Sequence, residues 1–339
     1  MVAGIFLLAG CAVQGASGVS FLSGCQPPRE QFVAKPPAPT PPKQIERNPL
    51  SGRPGPSEVE VLAIKVDNDP RSRSHTGLQA ADLIYLHEIE GGLTRMTALY
   101  SSEFPAEVAP VRSARVTDID LLKQFKMPAF GFSGAHPDFW PSIRAAELID
   151  VSAWAGQTGW GKAADRLTPL NLAANTKALL ERAQSTGRTA KTSNINFTFD
   201  EKPMTLGLPV EKVSVKYPST TFEAEWGALK KGWKIGFDGK PDVDTATSED
   251  VLASTVIVQV VKQSGSRYRD VNGRVTPLQE TVGTGEALIL RDGRGVWGTW
   301  EREKGTRGTK YFANGERVPL APGHIWVALT DSRDDVTTR

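Results

Sequence analysis

Cysteine is nearly absent, and its placement is more informative than its number. Cys11 and Cys25 both lie within the first 25 of 339 residues, so the rest of the chain can form no disulfide, thiolate metal site or cysteine nucleophile. Histidine is scarce too. His75, His87, His136 and His324 stand at no metal-ligand spacing, and His87-Glu88 lacks the second histidine of a zinc-protease helix. No metal and no cofactor are expected, and packing or surface roles are expected of all four. A Gly-x-Ser-x-Gly nucleophile elbow is missing as well, since Phe132-Ser133-Gly134 is preceded by Gly131 but followed by Ala135. No charge sign dominates. Forty basic against 38 acidic residues leave +2, without the concentrated positive field that binds nucleic acid regardless of sequence. Nucleic acid is therefore not an expected partner, and the oligomeric state is not legible. At 39% hydrophobic and 23% charged residues, the body has ordinary globular composition, neither disordered nor multiply membrane-spanning.

What is present begins with the N-terminal segment. Residues 1–28 contain no Asp, Glu, Lys or Arg, and the apolar Ile5-Phe6-Leu7-Leu8 leads into small residues ending in Leu22-Ser23-Gly24-Cys25. This pattern reads as an export signal. Leu-Ser-Gly-Cys resembles the bacterial lipobox, in which the cysteine thiol receives a diacylglycerol, so Cys25 is the expected lipidation site and mature first residue. Leu8-Ala9-Gly10-Cys11 is a second such run, but it leaves only ten residues upstream, short of the usual signal length. Seven prolines between Gln26 and Arg47 favour an extended polyproline spacer at ~3 Å per residue. The expected organisation is a signal peptide over 1–25, a proline-rich tether over 26–47, an α/β domain over 48–200, a β-rich domain over 205–330 and a flexible tail over 331–339. The expected place is the extracytoplasmic face of the cell membrane.

In the α/β part, Val59–Val66 is short, apolar and β-branched and stops at the turn cluster Asp67-Asn68-Asp69-Pro70. Leu83–Ile89 and Met96–Tyr100 form an expected hairpin through Gly91-Gly92. Thr117 to Asp120 carries capping-box spacing and predicts a helix start near Asp118. A strand is expected at 129–132, and helices at 142–148 and 172–184. Beyond Lys191 the pattern turns to short strands at 213–215, 233–237, 256–261, 287–290, 296–300 and 325–329, with turns at Asp238-Gly239, Asp292-Gly293 and Asn314-Gly315. The fold class expected is an α/β N-terminal part with a second, smaller, mainly antiparallel β C-terminal part.

The densest polar stretch runs through Asp67-Asn68, Arg71, Gly77, Asp82, Glu90-Gly91-Gly92, Thr94-Arg95 and Pro110-Val111-Arg112-Ser113-Ala114-Arg115. Asp-Asn, then Ala-Asp-Leu-Ile-Tyr, Glu-Gly-Gly-Leu-Thr-Arg and Pro-Val-Arg-Ser-Ala-Arg, in that order, resemble the YerB-like bacterial lipoproteins. Asp238-Gly239-Lys240-Pro241, Gly283-Thr284-Gly285, Gly298-Thr299-Trp300 and Pro322-Gly323-His324-Ile325-Trp326 extend the likeness to residues 48–329. The resemblance implies a two-part lipoprotein and no particular reaction. Leu86, Leu170-Asn171 and the loop Phe132 to His136 depart from the family pattern.

Read physically, Arg112 and Arg115 precede a predicted helix start, and with Arg95 and Ser113 they form a candidate anion site. Asp67, Asn68, Asp82 and Glu90 are the candidate polar cleft beside it. The competing reading pairs the arginines with those carboxylates to fix loops. Trp297, Trp300 and Trp326 form a sugar-stacking platform or, more in keeping with strand tryptophans, core. Two functions stay open: a binding or scaffold lipoprotein recognising an anionic glycan, phosphate or lipid-linked ligand, and an envelope transferase or hydrolase acting on a phosphorylated or polyprenyl-linked wall substrate.

Overall fold

The computed structural model describes residues 45–339 apart from Val271. The expected signal segment, both cysteines and nearly all of the proline-rich tether lie outside the described residues.

The α/β part supplies β1 (Leu62–Asp67), β2 (Leu83–Glu88), β3 (Thr94–Tyr100), α1 (Val116–Leu122), β4 (Ala129–Gly131), α2 (Trp140–Ala145), β5 (Ile149–Asp150) and α3 (Thr176–Gln184). The β-rich part supplies β6 (Lys212–Tyr217), β7 (Thr220–Gly227), β8 (Gly232–Phe237), β9 (Thr255–Val260), β10 (Gln263–Arg269), β11 (Val275–Gln279), β12 (Gly283–Arg291), β13 (Arg294–Arg302), β14 (Lys310–Ala313), β15 (Glu316–Arg317), β16 (Ile325–Thr330) and β17 (Val336–Thr338). The fold class is as expected, with a mixed sheet in the first part and mostly antiparallel strands in the second.

The two parts share one twelve-stranded sheet, whose main path runs β15-β14-β13-β12-β9-β16-β2-β3-β1-β4-β5. β16 lies parallel to both β9 and β2, so the last long strand of the chain joins the halves by backbone pairing. The expected boundary between residues 200 and 205 is a boundary in sequence and not in the sheet. The hairpin turns follow from residue type: Asp238-Gly239, Asp292-Gly293 and Asn314-Gly315 all have positive φ at both positions, the mirror-image turn that suits a twisted hairpin.

Side chains alternate across the sheet. Leu62, Ile64 and Val66 of β1, with Ile84, Leu86, Met96 and Ala98, pack with α3 residues Leu179 and Ala183 and with Val213, Val215, Phe222 and Ile235 of the β6–β8 sheet. On the other face Ala63, Leu83, Tyr85 and Leu99 pack with Leu121, Leu122 and Phe125 of the α1 segment and with Ile143 of α2. That second face carries Lys65, Asp67, His87, Arg95 and Thr97 at one end, all buried, and this end holds the polar chemistry.

Two expectations need correction. Residues 172–184 are not one helix: Leu172–Ala174 is a strand paired with Trp160–Lys162, and α3 begins after Asn175, whose side chain accepts from the Ala178 amide at 2.9 Å. An N-cap with a competing strand partner upstream moves the start. Residues 331–339 are not a loose tail either, because β17 pairs antiparallel with β6. The Arg339 carbonyl accepts from Glu211 and Lys212 amides, which closes an otherwise open sheet edge.

Candidate functional site

Asp67 ends β1 directly opposite Arg95 on β3, and Arg95 is opposite His87 on β2. The strand register thus fixes a row of charges before any loop contributes. The segment 110–115 then crosses this row. The Asp67 amide donates to the Pro110 carbonyl and the Arg112 amide to the Lys65 carbonyl, each at 2.9 Å. Arg112, Ser113 and Arg115 are thereby laid over the strand ends, and the Arg95 guanidinium donates to the Ser113 carbonyl at 3.0 Å.

Above them opens a cavity of about 480 Å³. Its wall from the α/β part includes Glu90, Arg95, Arg112, Ser113 and Arg115, together with Asp69, Arg71, His136 and Phe139. The opposite wall is the β10–β11 hairpin, with Tyr268, Arg269, Asp270, Arg274 and Thr276. Six arginines therefore face three carboxylates. The carboxylates are committed: Asp69 to Arg71 at 2.9 Å, Glu90 to Arg115 at 2.7 Å and to the Thr276 hydroxyl, and Asp270 to the Asn272 and Arg274 amides.

The electrostatics match this count. Arg95 is pulled down to about 10 by burial and by the neighbouring guanidinium of Arg115, against the opposing attraction of Asp67. Burial works to raise Glu90, but Arg115 and the Thr276 hydroxyl overcome it and hold the carboxyl below its ordinary range. Arg112 Nε is enclosed yet donates no hydrogen bond; Asp67 lies 3.5 Å away, near enough to attract but not aligned to accept. Among the described residues the Arg274 guanidinium has no hydrogen-bond or ion-pair partner; it lies over Gly91, where an added Cβ would meet it at 2.5 Å.

The candidate residues are distributed as follows. Arg95, Arg112, Ser113, Arg115 and Glu90 line the cavity. Asp67 and Asn68 lie behind it: Asp67 accepts from the Ser72 hydroxyl at 2.7 Å and faces Arg95, and Asn68 bridges the Thr94 hydroxyl and Arg73. Asp82 does not belong to the cleft. It precedes β2 at the opposite end, roughly 20 Å of strand from Glu88, where it accepts from the Ser101 and Ser102 amides at 2.8 and 2.9 Å. The helix start plays no part either. α1 is only seven residues long, and Asp118 Oδ2 already takes the Arg115 amide at 2.7 Å.

Two features escaped the sequence reading. The first is the hairpin wall, which Arg267-Tyr268-Arg269 and Arg274 flanking Asn272-Gly273 signal as a cationic turn. The second is a buried cluster beneath the cavity, in which Lys65 Nζ lies 2.7 Å from Asp118 Oδ1, 2.5 Å from His87 Nε2 and 3.0 Å from the Thr97 hydroxyl. All three ionisable side chains are inaccessible. Burial pulls Lys65 down to about 8 despite Asp118, and burial and Lys65 lower His87. Burial pushes Asp118 up, but Lys65 and His87 prevail and hold it far below the carboxylate range. Trp300 and Trp326 are buried and form no platform.

Fold and site together define a two-part α/β and β protein built on one shared sheet, with an arginine-lined cleft closed by a hairpin from its second part. The chain belongs to the family described as protein of unknown function DUF3048, whose N-terminal domain matches residues 50–189 and C-terminal domain residues 213–327. It is 24% identical over 290 residues to YerB of Bacillus subtilis strain 168, whose given name proposes it as a lipoprotein; the match spans 82% of this chain and 83% of that one. The crystal structure of YerB from Bacillus subtilis superposes with a TM-score of 0.75 at 20% identity, covering 86% of this chain and 99% of that one, and so shares its fold.

Proposed function

We propose that this protein is a lipid-anchored envelope protein, tethered at Cys25 to the extracytoplasmic face of the membrane, whose arginine cleft binds an anionic envelope component. The observation that carries the binding reading is the surplus of six arginines over three carboxylates around one cavity. Among them Arg95 is buried beside the guanidiniums of Arg115 and Arg112, a repulsion that an incoming anion relieves. Arginine forks suit phosphate or carboxylate, which they hold bidentately. The anchor is supported by the lipobox-like run ending at Cys25 and the proline-rich spacer behind it, and by the name of the YerB relative.

Native mass spectrometry of the protein, released gently from its own envelope, tests the binding reading. A retained acidic adduct that is lost in Arg112→Ala is the expected result, and a bare mass in both proteins contradicts it. For the anchor, fatty-acid labelling should vanish in Cys25→Ala and persist in Cys11→Ala.

A further inference from the structure

Trp154 is 76% exposed, although burying an indole is among the largest apolar gains available to a chain. It is nevertheless held in place. Arg182 of α3 clamps its loop, donating to the carbonyls of Ser152 at 3.0 Å, Gly156 at 2.7 Å and Thr158 at 3.0 Å. The Ala153 amide ties the same loop to Phe132 at 3.1 Å. The indole stands over Gly134, where an added Cβ would approach its nitrogen to 2.9 Å, and edge-on to Trp140 with ring centroids 6.3 Å apart.

This position adjoins the cleft. The Gly134 carbonyl accepts from the Ala114 amide at 3.0 Å, and Ala114 and Ala135 both line the cavity. Phe139, on the cavity wall, packs edge-to-face on Tyr268 of the opposite wall at 5.1 Å. A held, solvent-facing indole therefore stands beside the Gly134-Ala135 rim of a cationic pocket. Flat aromatic faces beside a few charged groups are what a sugar ring carrying an acidic substituent needs: charge held by guanidinium, ring stacked on indole.

We infer that the ligand of the cleft is an acidic saccharide, its phosphate or carboxylate among the arginines and its sugar ring on Trp154. This rests on the anion-binding reading above and narrows it to one ligand class. The test titrates the full chain with inorganic phosphate, glycerol 3-phosphate, glucose 1-phosphate and glucuronic acid. Glucose 1-phosphate should bind about 3- to 10-fold more tightly than glycerol 3-phosphate, which has the same charge and no ring. Trp154→Ala should erase that preference and leave inorganic phosphate unchanged, while Trp154→Phe should keep part of it. Trp154-dependent binding of glucuronic acid in place of the phosphorylated sugar supports the same inference for a carboxylated ring. Equal affinity for the two phosphate esters in the wild type without Trp154-dependent binding of glucuronic acid, or a ring preference that survives Trp154→Ala, overturns the sugar platform while phosphate binding upholds the cleft. Absence of binding by all four probes overturns both.

Discussion

Replacing Asp118 by Asn isolates the energetics of the buried cluster beneath the cleft. Asp118 accepts from Lys65 at 2.7 Å, from Thr97 at 2.8 Å and, through its other oxygen, from the Arg115 amide at 2.7 Å. The amide preserves shape but removes the anion that faces Lys65, while Arg95 and Arg115 still oppose the Lys65 charge. Breaking one side of a buried pair costs ~3–5 kcal/mol, because the remaining charge is left uncompensated. At ~2–4 °C per kcal/mol for a large domain, the melting temperature should fall by roughly 6–20 °C. Lys65→Met should cost a comparable amount, now by stranding Asp118. The double variant Lys65→Met with Asp118→Asn should lose much less than the two single losses added together, since both charges leave at once. Urea unfolding of the four proteins gives the cycle. Additive losses, or an Asp118→Asn cost below ~1 kcal/mol, would refute the reasoning.

Three further outcomes are expected. The folded state lowers Lys65 to about 8 from an ordinary 10.5, so above pH 8 the unfolded chain holds the extra proton and stability should rise towards pH 10.5; urea midpoints across that window should show this rise in the wild type and not in Lys65→Met. The arginines should divide into two groups, Arg95→Ala lowering stability by several kcal/mol because it strands buried Asp67, and Arg274→Ala leaving the melt within ~0.5 kcal/mol while weakening anion binding; comparable melting losses in both would contradict the division. Deleting residues 333–339 should cost ~1–3 kcal/mol through the lost pairing of β17 with β6, and an unchanged unfolding midpoint would show that the edge strand adds nothing.

How much of this was legible in the sequence depended on how local each cause is. The C-terminal end of β1, the hairpin between β2 and β3, and the three Asp-Gly and Asn-Gly turns follow from β-branching, alternation and residues that tolerate positive φ. Arg95, Arg112, Ser113, Arg115 and Glu90 were legible as a cluster because their motifs crowd one stretch of chain. Asp82 was misplaced because crowding in sequence ignores direction: one strand length carries it to the other end of the sheet. The hairpin wall was not legible because Arg269 and Arg274 lie more than 150 residues from Arg112 and reach it only through the shared sheet. Lys65, His87 and Asp118 read as unrelated charges until strand register and α1 stacked them together. The C-terminal strand was missed because polar residues at an edge carry no apolar alternation.

The central claim is that the arginine cleft binds an anion, and calorimetric titration of inorganic pyrophosphate into wild-type protein and the Arg112→Ala, Arg274→Ala double variant tests it most directly. The wild type should show one saturable site whose affinity falls as salt is raised, and the double variant should bind at least tenfold more weakly at an unchanged melting temperature. Absence of saturable heat in the wild type, or equal affinity in the two proteins, would contradict the account.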